Sequence, residues 1–90
     1  MIRKTITIKN QGGLHARPSA ALVKLASEFQ SEFSIYMHGY RVNGKSILGV
    51  MTLAAEFGAE LEFEFEGVDE KDAMEAIEKL VDRKFEMQDE

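Results

Sequence analysis

Residues 60–66 alternate without exception between glutamate and a large apolar side chain. Successive side chains of a β-strand point to opposite faces, so this segment predicts a strand with one apolar face and one carboxylate face. Such a strand belongs in a sheet that is covered on one side and open to water on the other. The segment therefore favours an antiparallel sheet with helices packed on a single face.

Other segments of the chain show weaker forms of the same periodicity. Alternation predicts strands at residues 5–8, at 33–37 and around 41–43, with a tight turn at residues 38–39. Apolar residues at intervals of three and four predict helices over residues 16–29, 47–54 and 70–84. We expect Ser46 and Asp69 to cap the second and third helices. The inward face of the second helix should comprise Ile47, Val50, Met51 and Ala54.

The predicted order of elements is β-α-β-β-α-β-α. Because all four strands alternate, the helices must lie on the apolar side of the sheet, which makes a two-layer, open-faced α+β sandwich. We expect one domain over residues 1–90, since the chain contains no linker, internal repeat or low-complexity stretch. The absence of cysteine excludes disulfides and thiolate zinc sites. Without a long apolar run or a signal-peptide block, we expect a cytoplasmic protein that does not insert into membranes.

The charge of the chain is distributed unevenly. Residues 1–55 carry seven Lys or Arg and two acids, a net charge of +5, whereas residues 56–90 carry four and fourteen, a net charge of −10. The simplest interpretation is an acidic sheet face and helix exposed to water. The alternative is a positive half that holds a phosphate or steers an acidic partner. Nucleic-acid binding is not expected, because no dense basic cluster with interleaved aromatic residues occurs.

A histidine stands where a glycine-broken loop enters the first predicted helix, in the run Gly13-Leu14-His15-Ala16-Arg17-Pro18. The first N–H groups of a helix lack partners within it and lie at the positive end of the dipole, so they attract phosphate. Neutral imidazole is a nucleophile near neutral pH, and a guanidinium offers several donors to phosphate oxygens. We predict that His15 accepts a phosphoryl group, assisted by the Arg17 side chain and by the backbone of Ala16 and Arg17.

Other kinds of chemistry fit the sequence less well. No metal site is expected, because only His15 and His38 are available and His38 lies on a predicted outer strand face. A hydrolase triad is disfavoured, since no acid is close to His15 in the sequence. The run Gly44-Lys45-Ser46 resembles the end of a nucleotide-binding loop but lacks the upstream glycine and the strand-loop-helix context. We therefore expect no cofactor.

Ser46 and the apolar residues around it each allow two interpretations. Ser46 is either an ordinary helix cap or also a regulatory phosphorylation site, where a phosphoserine would be stabilised by the helix N-terminus. Such a phosphate adds about two negative charges to the basic half. A group of apolar residues either fills the core or forms an exposed docking patch for partners. These residues are Ala20, Ile47, Leu48 and Met51.

Residues 13–18 and 43–51 together resemble the HPr family, the histidine-containing phosphocarriers of the bacterial phosphoenolpyruvate-dependent sugar phosphotransferase system. The resemblance covers nearly the whole chain. It implies a sheet of order 1-4-2-3 with three helices on one face, and phosphorylation of His15 on Nδ1 with assistance from Arg17. It also implies enzyme I as the donor and sugar-specific IIA proteins as acceptors. Ser46 matches the target of a regulatory kinase in some members.

The chain departs from the commoner family pattern at Gly12, Ser19 and Ala54. The Ser19 hydroxyl is expected either to contact the phosphate or to face water. Our leading interpretation is a monomeric carrier that is modified stoichiometrically, and not an enzyme acting on a small molecule. One alternative is a regulatory module that a kinase and phosphatase modify at Ser46 and that binds a transcription factor. Two others are a carrier of the nitrogen-related branch and a ligand-binding domain without phosphoryl chemistry.

Overall fold

The computed structural model describes residues 1–86, and the last four residues of the predicted domain, 87–90, lie outside the described residues. Four strands and three helices follow the predicted order β-α-β-β-α-β-α, which is confirmed. They are β1 (Ile2–Thr7), α1 (Ala16–Ala26), β2 (Glu32–Met37), β3 (Tyr40–Asn43), α2 (Ile47–Thr52), β4 (Glu60–Glu66) and α3 (Glu70–Asp82). A short 3-10 turn, Lys84–Glu86, follows α3.

The strands form one antiparallel sheet in the order β1-β4-β2-β3. The predicted order and pairing are therefore confirmed. Strand β4 is an inner strand, and both of its edges pair with neighbouring strands. Its three apolar side chains are buried, while its glutamates line the open face. The strict alternation of residues 60–66 thus reflects a central position in a sheet that is covered on one side.

An aromatic cluster joins the two inner strands on the covered face. The ring of Phe33 stacks on that of Phe65 with centroids 4.3 Å apart, and it meets Phe63 edge-on at 5.2 Å. Leu22 of α1 and Ile77 of α3 are fully buried in the same core. The helices therefore cover the apolar face of the sheet, and the predicted two-layer α+β sandwich is confirmed.

Helix α1 is shorter than predicted and ends at Ala26 instead of residue 29. The Ser27 hydroxyl donates to the carbonyl of Val23, 2.8 Å away. The N–H groups of Glu28 and Phe29 then bond to carbonyls three residues back, at 3.0 and 3.1 Å. These shorter-range bonds are typical of a tightened helix end, which explains why the apolar spacing continues after the α-helix stops.

One prediction about α3 is confirmed in part, and another is wrong. Asp69 occupies the N-cap position, but its side chain makes no capping hydrogen bond, because its carboxylate accepts from the N–H groups of Gln30 and Ser31, at 2.8 and 2.9 Å, and from the Ser31 hydroxyl. The Ser31 hydroxyl and these N–H groups lower the pKa of Asp69. The helix ends at Asp82 instead of residue 84, since residues 84–86 all adopt positive φ angles.

The predicted inward face of α2 is also wrong. Only Val50 of this six-residue helix is buried, whereas Ile47 and Met51 are 41% and 39% exposed. The helix ends at Thr52, and Ala54 follows with φ at +50°, so it is no longer on a helical face. A helix with fewer than two turns presents too few positions to bury a four-residue stripe. Among the helices described within residues 1–86, none has the length and apolar character needed to cross a bilayer.

Candidate functional site

The loop before α1 is held against the segment that precedes β4. Gly13 is buried with φ at +71°, and its N–H donates to the Asn10 carbonyl at 3.1 Å. The next N–H, from Leu14, donates to the carbonyl of Ala55 at 2.8 Å, and the Leu14 side chain lies in the core. These contacts fix the direction in which the chain enters the helix.

His15 is the N-cap residue of α1, with φ −80° and ψ −167°, and its side chain makes no capping hydrogen bond. Its carbonyl accepts the first helical bond, from the N–H of Ser19 at 3.0 Å. Within residues 1–86, the N–H groups of Ala16 and Arg17 find no acceptor, and Pro18 has no N–H to offer. An exposed imidazole therefore lies at a helix N-terminus with two available amide donors.

Arg17 adds positive charge to the same helical turn. Its side chain is exposed, and in the part of the chain that the structure describes it forms no ion pair. No acidic residue stands in the first turn of α1, so the residues of that turn add no negative charge at the positive end of the helix dipole. The start of α1 is consequently suited to an anion such as a phosphoryl group.

The structure confirms that Ser46 caps α2. Its backbone is extended, and its Oγ accepts from the N–H of Gly49 at 3.0 Å. The preceding loop is braced on both sides: Asn43 Oδ1 accepts from the Lys45 N–H at 2.9 Å, and Lys45 Nζ donates to the Phe29 carbonyl at 2.7 Å. Since α1 and α2 pack against each other, Ser46 sits on the helix that adjoins the one carrying His15.

The four residues of the predicted docking patch are all exposed. Leu48 is the most open of them, at 77%, and Ala20, Ile47 and Met51 also face outward. Core filling is therefore not the role of these residues, although docking itself remains a prediction. Phe57, in the loop before β4, is another large apolar side chain in the open, at 63%. The sequence patterns do not single it out, because it belongs to no periodic segment.

The prediction for Ser19 is wrong, because its side chain neither faces water nor reaches the helix mouth. Ser19 is completely buried, and its hydroxyl donates to the Leu14 carbonyl at 3.0 Å. The same loop contains a second polar residue that sequence reasoning misses. Asn10 is 2% exposed, and its Nδ2 donates to the Gly13 carbonyl at 2.8 Å. Both side chains thus hold the backbone just before His15.

Residues 1–86 contain no cluster of three or more His, Asp or Glu side chains that could hold a metal ion. The two histidines lie on different elements: His15 begins α1, and His38 is exposed in the turn between β2 and β3. The arrangement around His15 therefore offers a nucleophile, a cation and backbone donors.

Comparison with known proteins gives one consistent family. A model of the "PTS HPr component phosphorylation site" matches residues 2–83. Phosphocarrier protein HPr of Treponema pallidum is 49% identical over 86 residues, which cover 96% of this chain and 98% of that protein. The HPr-C-His structure from Thermoanaerobacter tengcongensis has a TM-score of 0.94 at 41% identity, covering 98% of this chain and 99% of that one. Crh of Bacillus subtilis, a catabolite-repression protein solved as a swapped dimer, has a TM-score of 0.75 at 34% identity. The match covers 93% of this chain and 97% of the Crh chain. This chain therefore belongs to the HPr family of the phosphotransferase system.

Proposed function

We propose that this protein is a cytoplasmic phosphocarrier, which receives a phosphoryl group from enzyme I on Nδ1 of His15 and passes it to sugar-specific IIA proteins. Membership of the HPr family supports the carrier role in general. The observation that carries the assignment to residues is the exposed imidazole of His15, the N-cap residue of α1, with Arg17 in the same turn.

The geometry favours transfer by positioning and charge neutralisation. A neutral ring nitrogen of His15 attacks phosphorus while the bond between phosphorus and the donor breaks. In the second transfer, a nucleophile of the acceptor attacks the same phosphorus while its bond to the His15 nitrogen breaks. The phosphoryl oxygens accept from the N–H groups of Ala16 and Arg17 and from the Arg17 guanidinium. The carrier returns to its starting form after each transfer, so it serves as a stoichiometric intermediate and not as an enzyme.

The direct test is incubation with purified enzyme I and phosphoenolpyruvate, followed by intact-mass measurement. The protein should gain one phosphate that is labile in acid and stable in base, and His15→Ala should gain none. His38→Ala is the matched control, because it removes the other histidine, which is also exposed, and should leave uptake unchanged. Lack of uptake by the wild type, or full uptake by His15→Ala, would contradict the proposal.

The role of Arg17 predicts a kinetic defect. Arg17→Ala should slow transfer by about one to three orders of magnitude, as removal of a charge-stabilising donor does elsewhere. Arg41→Ala provides the control, since Arg41 is also exposed but lies on β3. Rapid-quench measurement of phosphate uptake distinguishes the two variants. Equal rates for wild type and Arg17→Ala would remove Arg17 from the mechanism.

We also propose that phosphorylation of Ser46 regulates the carrier. Ser46 Oγ already occupies a helix N-terminus, where a phosphate would add about two negative charges near the outward-facing residues of α2. A cognate kinase should add an acid-stable phosphate that Ser46→Ala abolishes, and a phosphatase should remove it. Ser46→Asp should weaken uptake from enzyme I, whereas Ser27→Asp, at the far end of α1, should not. Equal effects of the two aspartates would argue against regulation at Ser46.

Crh is a catabolite-repression protein, and its similarity to this chain favours a second, regulatory role. In that role, we propose, phosphorylated Ser46 recruits a transcription regulator. Binding that requires Ser46 phosphorylation and persists in His15→Ala would favour that role. Assays with IIA proteins of the sugar and nitrogen-related branches will assign the acceptor. We propose a monomer, and light scattering after size-exclusion chromatography tests this, with a dimer as the contrary result.

A further inference from the structure

Every backbone polar group of Leu14, the residue before His15, is held by the protein. Its N–H donates to the Ala55 carbonyl at 2.8 Å, and its carbonyl accepts from the Ser19 hydroxyl at 3.0 Å. Its side chain is 3% exposed and belongs to the core. The approach to His15 is thus fixed by contacts from three directions.

Ser19 contributes two of the bonds around His15. The hydroxyl binds the carbonyl of Leu14, and the N–H binds the carbonyl of His15 itself, at 3.0 Å in both cases. These carbonyls belong to the two peptide units on either side of the His15 Cα atom. One residue therefore restrains both backbone dihedral angles of His15, on which the direction of the imidazole depends.

The surroundings of Ser19 make this restraint hard to replace. Ser19 is fully buried, so water cannot take over the bond to the Leu14 carbonyl when the hydroxyl is removed. Asn10 secures the preceding carbonyl, that of Gly13, from another position in the loop. The Leu14 carbonyl has no such second donor among residues 1–86.

We propose that Ser19 is a positioning residue for phosphoryl transfer, which aligns His15 with the amide donors of Ala16 and Arg17. This inference rests on the carrier function proposed above. Ser19 does not touch the phosphoryl group, and it acts through the Leu14 and His15 peptide units. Without the hydroxyl, the imidazole and the amide donors spend less time in the arrangement that transfer requires.

The test compares Ser19→Ala with Ser31→Ala. Ser31 is a matched control, because it is also buried and its hydroxyl also makes a hydrogen bond, but to Asp69 at the other end of α1. When Ser19→Ala is the substrate of enzyme I, the kcat for phosphate uptake should fall by about 10- to 100-fold, the loss that a small misplacement of reacting groups causes. KM should stay within about twofold, since the variant leaves the predicted docking patch, which includes Leu48 and Met51, unchanged. Ser31→Ala should retain kcat even where it unfolds at lower urea concentration.

A measurement without phosphate separates this inference from the carrier function. Hydrogen exchange at the backbone amides of positions 14 and 19 should become faster in Ser19→Ala, but not in Ser31→Ala. If the wild type takes up no phosphate, the carrier function fails, and unchanged exchange would independently overturn the restraint. The positioning role is overturned if the wild type is phosphorylated and enzyme I phosphorylates Ser19→Ala with an unchanged kcat. It is also overturned if kcat falls equally for Ser19→Ala and Ser31→Ala. Ser19→Cys, which has only a weak donor, gives the same test should Ser19→Ala fail to fold.

Discussion

Gly13 provides the sharpest test of how the site loop is built. An added Cβ atom at this position would overlap the carbonyl oxygen of Ala55 and lie 2.9 Å from Cα of Glu56. The backbone also has φ at +71°, which costs an L-residue about 1–2 kcal/mol. Relief of the overlap requires the loop to move away from Ala55, which breaks the buried bond from Leu14 at a further cost of about 1–3 kcal/mol. Gly13→Ala should therefore lower the free energy of unfolding by about 2–5 kcal/mol.

Gly39→Ala is the matched control for the backbone term. Gly39 has φ at +82°, and an added Cβ would meet nothing within 4 Å. It should lose only the conformational part, about 1–2 kcal/mol. Urea unfolding monitored by circular dichroism gives both values, and the folded fraction of Gly13→Ala should also take up phosphate more slowly. Equal losses of stability in the two variants would refute the idea that contact with Ala55 holds the loop.

Three further predictions concern stability away from the loop. Phe33→Ala should cost about 3–5 kcal/mol in urea unfolding, because the ring packs on Phe65 in the buried cluster; a loss below 1 kcal/mol would contradict that packing. The pKa of Asp69 is lowered by the Ser31 hydroxyl and the adjoining N–H groups. The ionised carboxylate therefore contributes fully to stability above the ordinary carboxyl pKa of about 3.9, and this contribution is lost as the pH falls through the lower pKa of the folded state. Asp69→Asn should accordingly make the urea midpoint less sensitive to acid than in the wild type. An unchanged dependence of the midpoint on pH would count against a stabilising contact between Asp69 and Ser31. Arg3→Ala should change stability by about 1 kcal/mol or less, since its ion pair is half exposed, and a larger loss would show that its stacking on Tyr36 is undervalued.

The strands were predictable because their signal is local. Each residue of 60–66 reports which face it occupies, and the pattern persists because β4 is an inner strand of a one-sided sheet. Alternation does not reveal which strands are neighbours, since any of the four apolar faces could lie beside any other. The order 1-4-2-3 came from the family resemblance and not from periodicity. Similarly, Ser46 was predictable as a cap because its bond to Gly49 spans three residues.

A non-local contact accounts for one of the predictions that failed. Asp69 has the residue type and the position of a helix cap. Its carboxylate nevertheless accepts a hydrogen bond from Ser31, 38 residues away in the chain. Asp69 keeps the N-cap position of α3, but while Ser31 donates to its carboxylate the side chain makes no capping bond to its own helix. For Asp69, a tertiary contact thus outweighed a valid local preference. The predicted inward face of α2 failed for a local reason, because the turn at Ala54 ends the helix before the apolar stripe is complete.

Ser19 and Ser46 show how the same residue type can take opposite roles near two helix starts. Ser46 accepts a hydrogen bond from an amide of its own helix, whereas Ser19 donates one to a carbonyl outside its helix. The sequence contained a signal for this difference: Ser19 precedes Leu22 by three residues and Ala26 by seven, which places it on the buried stripe of α1. A hydroxyl on a buried stripe must find a partner within the protein. In this protein the partner is the Leu14 carbonyl, in the chain that enters the helix, so Ser19 restrains the peptide unit just before His15. A buried side chain thus restrains the backbone from which an exposed imidazole projects at the start of a helix.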